Sequence, residues 1–201
     1  MKQIFTFAFL FISILSCKAQ QTVSLDDGDP SFPEGTYYKD LNNDLDKFVG
    51  VWKYQQANTL LTLVLQKKEH VLNPTFSIYE DLIIGEYKYE VNGQEILNYL
   101  PRLQDSSVTG DFHYISGNII LHSTDIPKCL ECHPFERRIR VNFRDPEREY
   151  IPTAMILRHQ IINGVEQLTA NLMGIGLIVV TEDGLPEDTR VPAGQYILIK
   201  Q

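Results

Sequence analysis

Tyr79-Glu80-Asp81-Leu82-Ile83-Ile84-Gly85-Glu86-Tyr87-Lys88-Tyr89-Glu90-Val91-Asn92-Gly93 alternates charge and ring through its second half. Glu86, Lys88 and Glu90 fall on one side, and Tyr87, Tyr89 and Val91 on the other. A period of two sends successive side chains to opposite faces of a strand. Asn92-Gly93 then supplies two residues that tolerate positive φ, the chemistry of a tight hairpin. The segment is predicted as a strand that hides one face and ends in a turn.

Moving toward the N-terminus, Leu60 to Lys67 is an aliphatic run of strand length. Before it, Phe48 to Tyr54 alternates so that Trp52 and Tyr54 share one face while Val51 and Lys53 share the other. Toward the C-terminus, Ser116-Gly117-Asn118 is read as a turn introducing a strand from Ile119 to His122. Arg138, Arg140 and Asn142 alternate with Ile139, Val141 and Phe143. Thr153 to Gln160 and Glu166 to Leu172 flank a second hairpin signal, Asn163-Gly164. Leu177 to Thr181 and Gln195 to Lys200 complete the set, with Gly174 and Gly176 marking a bend. The fold class is therefore mainly β: a single antiparallel β-barrel or a sandwich of roughly nine or ten strands. Long helical periodicity is missing. Leu41, Leu45 and Phe48 mark a short N-terminal helix between Tyr38 and Phe48.

The far N-terminus reads as an export leader. Met1 and Lys2 precede an apolar run from Ile4 to Leu15, too short for a permanent span. Ile14-Leu15-Ser16-Cys17 has the form of a lipobox, which makes Cys17 the expected lipidation site. Cleavage after Ala19 is the competing expectation. Residues 1–16 are thus assigned to a signal peptide, 17–36 to a flexible acidic tether, and 37–201 to one β-rich domain. The protein is expected to be exported and anchored by lipid at the outer membrane, in preference to release into the periplasm or secretion.

A formal net charge of −8 argues against nucleic acid as a partner, because phosphate binding needs clustered Lys and Arg. Arg137-Arg138-x-Arg140 and Lys67-Lys68 adjoin apolar residues and are read as solvated strand faces. No second apolar run is long enough for a transmembrane helix, so the membrane enters only through the lipid anchor.

Cys129-Leu130-Glu131-Cys132-His133 is the sharpest chemical string. In an oxidising compartment the two cysteines are expected to form a disulfide. The same string matches a c-type haem attachment pattern, with Met155, Met173, His113, His122 or His159 as the second axial ligand. A thioredoxin-like pair would want Cys129 at a helix N-terminus, yet Pro134 and the alternation that follows argue against a helix. A metal site using Cys129, Cys132 and His133 lacks a second ligand pair, so no metal and no cofactor is expected. His113 and His122 could approach across a hairpin. Asp26-Asp27-x-Asp29 lacks the glycine and distal glutamate of a calcium loop. Glu80-Asp81 and Glu182-Asp183 are read as exposed turn acids. No nucleophile can be named with its base, so no enzyme activity is expected.

Tyr37-Tyr38-Lys39-Asp40-Leu41, Phe48-x-Gly50-x-Trp52-Lys53-Tyr54, Leu63 to Lys68, Ile84 to Tyr89, Cys129-x-x-Cys132 and the ending Val191-Pro192-x-Gly194-x-Tyr196 through Gln201 resemble an uncharacterised family of exported proteins from flavobacteria and their relatives. That resemblance implies a bacterial envelope protein without an assigned activity. Gly50-x-Trp52 after a short helical turn also resembles the start of lipocalin barrels. There the tryptophan plugs the barrel base and a basic residue near the last strand lies across it. Lys200 and Arg190 are the candidates for that cation.

The resulting expectation is a non-catalytic envelope binding or interaction module. Trp52, Tyr54, Tyr87 and Tyr89 are the candidates to line a pocket for a small amphipathic ligand. A periplasmic redox or haem electron-transfer protein using Cys129, Cys132 and His133 is the alternative.

Overall fold

A computed structural model describes residues 20–27, 31, 33–176 and 184–201. The leader, Cys17 and the segment from Leu177 to Asp183 therefore lie outside the described residues. Among the described residues eleven strands form one sheet. They are β1 (Thr22–Ser24), β2 (Tyr37–Lys39), β3 (Gly50–Gln56), β4 (Thr59–Asn73), β5 (Ile78–Val91), β6 (Gln94–Asn98), β7 (Ile115–Leu121), β8 (Arg138–Phe143), β9 (Thr153–Ile162), β10 (Val165–Gly174) and β11 (Gly194–Lys200).

Eight of them close an antiparallel barrel in up-and-down order. β3 pairs with β4, β4 with β5, β5 with β7, and so on to β11, which returns to β3 through Lys200 opposite Trp52. Closure removes the free edges that a sandwich would leave. Ile83 opposite Gly117 and Gly85 opposite Ile115 make the β5–β7 seam. β6 folds back on β5 through Asn92-Gly93, where both residues have positive φ (53° and 72°). Asn163-Gly164 joins β9 to β10 in the same way, at 53° and 80°.

Strand alternation fills the barrel. Trp52, Leu61, Leu63, Leu65, Ile83 and Tyr87 point inward from β3, β4 and β5 and are fully buried. Phe143, Met155, Leu157, Leu168 and Leu198 complete the cluster from the other side. Among the described residues no helix is long and apolar enough to cross a membrane.

Four local expectations are corrected. Residues 38–48 hold the end of β2, turns and a 3-10 turn at Asp46–Phe48 instead of a short helix. The Asp40 carboxylate takes the amides of Asp44 (2.8 Å) and Leu45 (3.0 Å), and Asn43 adopts φ of 56°, which together interrupt helical bonding. Where a flexible tether was expected, β1 pairs in parallel with β2 and Leu25 packs against the core. Ser116-Gly117-Asn118 lies within β7 as a bulge and makes no hairpin, because Gly117 (φ 149°) lets the backbone approach Val141 closely. The basic strings are also not solvated faces. Arg138 is 5% exposed, and Lys67 is bonded to Asp40 and Asp46 at 2.8 and 2.7 Å.

Candidate functional site

The four aromatics proposed to line a pocket all sit on the inward alternation of β3 and β5. Trp52 donates its indole N–H to the Phe48 carbonyl at 2.8 Å. Its ring meets His159 edge-on at 5.9 Å and lies under Lys200 at 5.4 Å. Tyr87 packs on Phe143 at 4.5 Å and on Tyr99 at 5.3 Å, and donates its hydroxyl to the Arg144 carbonyl. Tyr54 stands edge-on to Tyr196 at 5.0 Å, and Tyr89 is buried in the same cluster. Each ring is thus in contact with other side chains of the core.

Lys200, and not Arg190, supplies the cation across Trp52. Arg190 belongs to the opposite end, where it grips Asp145 and donates to the Tyr99 hydroxyl at 2.9 Å.

A cleft of about 910 Å³ lies outside the barrel wall. Its floor is the outer face of the β4–β5 ribbon, including Leu82 and Ile84, and its far wall is the segment from Leu103 to His113. Leu103 and Phe112 add apolar surface, while the charged lining is mixed, with Lys68 and Arg144 alongside Glu80, Asp105 and Asp111. A second cleft of about 450 Å³ adjoins it, sharing Asn73, Glu80 and Asp111. This volume falls in the range of small-molecule sites.

Behind the cleft is a buried polar cluster around Glu86, the one member that strand alternation places on the solvent side. Glu86 is 0% exposed, and His113, which lines the cleft, is 3% exposed. Glu86 Oε1 lies 3.0 Å from His113 Nδ1, 3.4 Å from the Tyr114 amide nitrogen and 3.5 Å from Arg102 Nε. Glu86 Oε2 has no hydrogen-bond partner. Burial pushes the Glu86 carboxyl up to about 7, against the Tyr114 amide and the charges of Arg102 and Arg144. Burial, with the charges of Arg102 and Lys68, pushes the His113 imidazole down. Both shifts favour the uncharged forms. Arg102 stacks on Tyr114 at 4.5 Å and donates to the Phe112 carbonyl at 2.9 Å, which ties the cleft wall to the cluster.

The remaining sequence candidates are separated. His113 and His122 do not meet: His122 Nε2 pairs with Asp26 at 2.6 Å. Asp81, expected in an exposed turn, is 0% exposed and accepts from the Tyr37 hydroxyl (2.5 Å), the His70 amide (2.9 Å) and the Asp40 amide (3.0 Å). Glu80 binds Asn73 and Asn118 at 2.8 Å each. Glu182 and Asp183 lie outside the described residues. Cys129 and Cys132 form the expected disulfide, with Cα atoms 5.3 Å apart. Both sulfurs are engaged there, and His133 is an exposed neighbour whose ring lies 5.6 Å from Phe135.

No curated protein and no solved structure matches the chain. A family model does match, over residues 1–201, and the chain belongs to that family, the family of unknown function DUF6705.

Proposed function

We propose that this is an exported, lipid-anchored envelope protein that binds a small amphipathic ligand without catalysing a reaction, and that the ligand sits in the outer cleft. The observation carrying the reading is the contrast between a barrel interior filled by packed rings and an outer cleft of about 910 Å³. Leu82, Ile84, Leu103 and Phe112 offer an apolar bed for a chain. Lys68 and Arg144, set among Glu80, Asp105 and Asp111, offer charges of both signs to a zwitterionic or polar head, and His113 a buried polar contact beside it. A few convergent polar groups in an apolar cleft are what small-molecule recognition requires.

Native mass spectrometry and calorimetry with single-chain probes (a fatty acid and a lysophospholipid) test the reading. The expected result is one probe bound per chain, with Phe112→Ala weakening it at least tenfold. Tyr54→Phe, inside the barrel, should leave affinity unchanged. Failure to retain either probe, or loss of binding in Tyr54→Phe alone, would overturn it. The rival redox reading has less support, because Cys129 and Cys132 are nearly buried and a loop, not a helix, follows them.

A further inference from the structure

The three most exposed large apolar side chains among the described residues are Leu130 (93%), Ile126 (84%) and Phe135 (81%). All three lie in the connection between β7 and β8. That loop is braced from several sides. The Cys129–Cys132 disulfide flanks Leu130. Arg138, itself buried, donates to the carbonyls of Pro127 (2.9 Å) and His122 (2.7 Å). The Cys129 amide donates to the Ser123 carbonyl at 2.9 Å. Arg158 reaches across from β9 to Glu136 (2.5 Å) and to the Glu131 carbonyl (3.2 Å). The apolar side chains are therefore held outward by a pinned backbone. Three large apolar side chains held out from one braced loop, within ten residues of each other, are the kind of exposure that marks an interaction site.

Its position says what covers it. Leu121 and Arg138, the two stems of the loop, pair with each other at the barrel end closed by Trp52 and Lys200. The β9–β10 hairpin projects at the same end and exposes Ile161 and Ile162. Residues 20–27 cross the foot of the loop, where Asp26 pairs with His122 and, at 3.3 Å, with Arg137. Gln20 is fixed at that end by Gly35 and His70. Cys17 precedes Gln20 by three residues, a reach of at most about 11 Å. A lipid on Cys17 would thus hold this end of the barrel against the bilayer, with the apolar loop facing it.

We infer that loop 123–137 is a membrane-interface element: Ile126, Leu130 and Phe135 enter the headgroup and upper acyl region of the bilayer to which Cys17 tethers the barrel. The inference rests on the lipid-anchor reading. Exposed Lys128, between Ile126 and Leu130, can extend its charge to the headgroups while its stem follows the apolar side chains. The several acyl chains of a lipobox cysteine already hold the protein stably, so insertion of the loop sets how the barrel end sits on the bilayer.

The test uses the full chain, processed in a lipoprotein-exporting host and placed in phosphatidylethanolamine–phosphatidylglycerol vesicles with brominated acyl chains. Trp52 is buried, so Leu130→Trp adds the only exposed indole. Its emission should shift to the blue and lose more than half its intensity to bromine. In a Cys17→Ala background, the triple change of Ile126, Leu130 and Phe135 to Ser should lower vesicle cosedimentation at least tenfold. The three positions are exposed, so the fold is expected to survive, as a melting curve will show. Unquenched, water-like emission from vesicle-bound protein would overturn the inference. A dimer that the triple change dissociates would also overturn it, by assigning the loop to a second copy. A mass without lipid on Cys17 would overturn the anchor reading alone, because cosedimentation of the Cys17→Ala pair still decides whether the loop binds lipid.

Discussion

Lys200 Nζ stands 5.4 Å from the centroid of the Trp52 ring, and Glu166 keeps it there. Glu166 Oε2 accepts from Lys200 at 2.8 Å and lies 3.0 Å from His159 Nε2, whose ring meets Trp52 edge-on. Four strands, β3, β9, β10 and β11, each contribute one of these side chains. The barrel base is closed by a cation over a ring rather than by aliphatic packing alone.

Replacing Lys200 by Met keeps the apolar stem and removes the charge. A cation over an indole contributes roughly 0.5–1 kcal/mol at a partly exposed site. For a domain of this size that corresponds to a fall of about 1–4 °C in melting temperature. Lys200→Arg should retain most of the stability. An unchanged midpoint in Lys200→Met, read by circular dichroism, would show that ring and cation are only neighbours.

Gly50 is required beside the same contact. Its φ is 143°, and a Cβ there would lie 3.1 Å from Lys200 Cε. Gly50→Ala combines backbone strain with crowding of the Lys200 stem, and should cost about 1–3 kcal/mol. Gly174 supplies the control, since a Cβ at that position meets nothing within 4 Å. Urea unfolding should show a loss of midpoint for Gly50→Ala and little change for Gly174→Ala.

At the opposite end, Asp145 is 1% exposed and depends on Arg190. Burial alone would raise its carboxyl, but the Arg190 guanidinium and amide outweigh burial and hold it below the usual carboxylate range. Arg190→Met leaves a buried charge without its partner and should cost about 3–5 kcal/mol near neutral pH. A carboxyl with a depressed folded value stabilises above its unfolded value and loses that contribution as pH falls through the folded one. The variant's deficit should therefore shrink under strongly acidic conditions. Equal deficits at pH 7 and pH 3 would indicate lost packing in place of a lost ion pair.

The barrel was legible because its signals are local. Alternation in Tyr79–Val91 and the turns at Asn92-Gly93 and Asn163-Gly164 depend only on neighbours in sequence, and each recurs in the structure. The Trp52 closure came through a resemblance, which supplied a distant cation that no spacing could reveal. Glu86 was misread because a strand's outward face is solvated only if nothing covers it, and Asp81 because it was taken for a turn acid although β5 runs through it. In both cases the partners come from other segments of the chain. Arg102, His113 and Tyr114 cover Glu86, while Tyr37, Asp40 and His70 surround Asp81. Tyr37 and His70 come from β2 and from the bulged stretch of β4, whose place beside Asp81 no local pattern reveals, while Arg102, His113, Tyr114 and Asp40 sit in 3-10 turns and loops with no periodicity to read. The outer cleft was invisible for the same reason, since its far wall belongs to that covering segment.

Glu86 gives the sharpest pH dependence. Its folded value, about 7, lies above the ordinary carboxylate range because burial penalises the charge. Between the two values the folded protein holds a proton that the unfolded chain has released, so stability declines as pH rises from about 4.5 to about 7 and then levels. His113, with its lowered value, acts in the opposite direction and costs stability as the solution turns acid. Glu86→Gln removes the first effect and keeps the second. The variant should gain on the order of 2–3 kcal/mol over the parent at pH 8.5, where the parent must bury a charge. It should be level with the parent, or slightly weaker, at pH 5, where Glu86 is already protonated. Melting curves across this range decide the matter. A Glu86→Gln variant that is less stable at pH 8.5 would mean that the contact with Arg102 outweighs desolvation and that the carboxylate is charged in the folded protein.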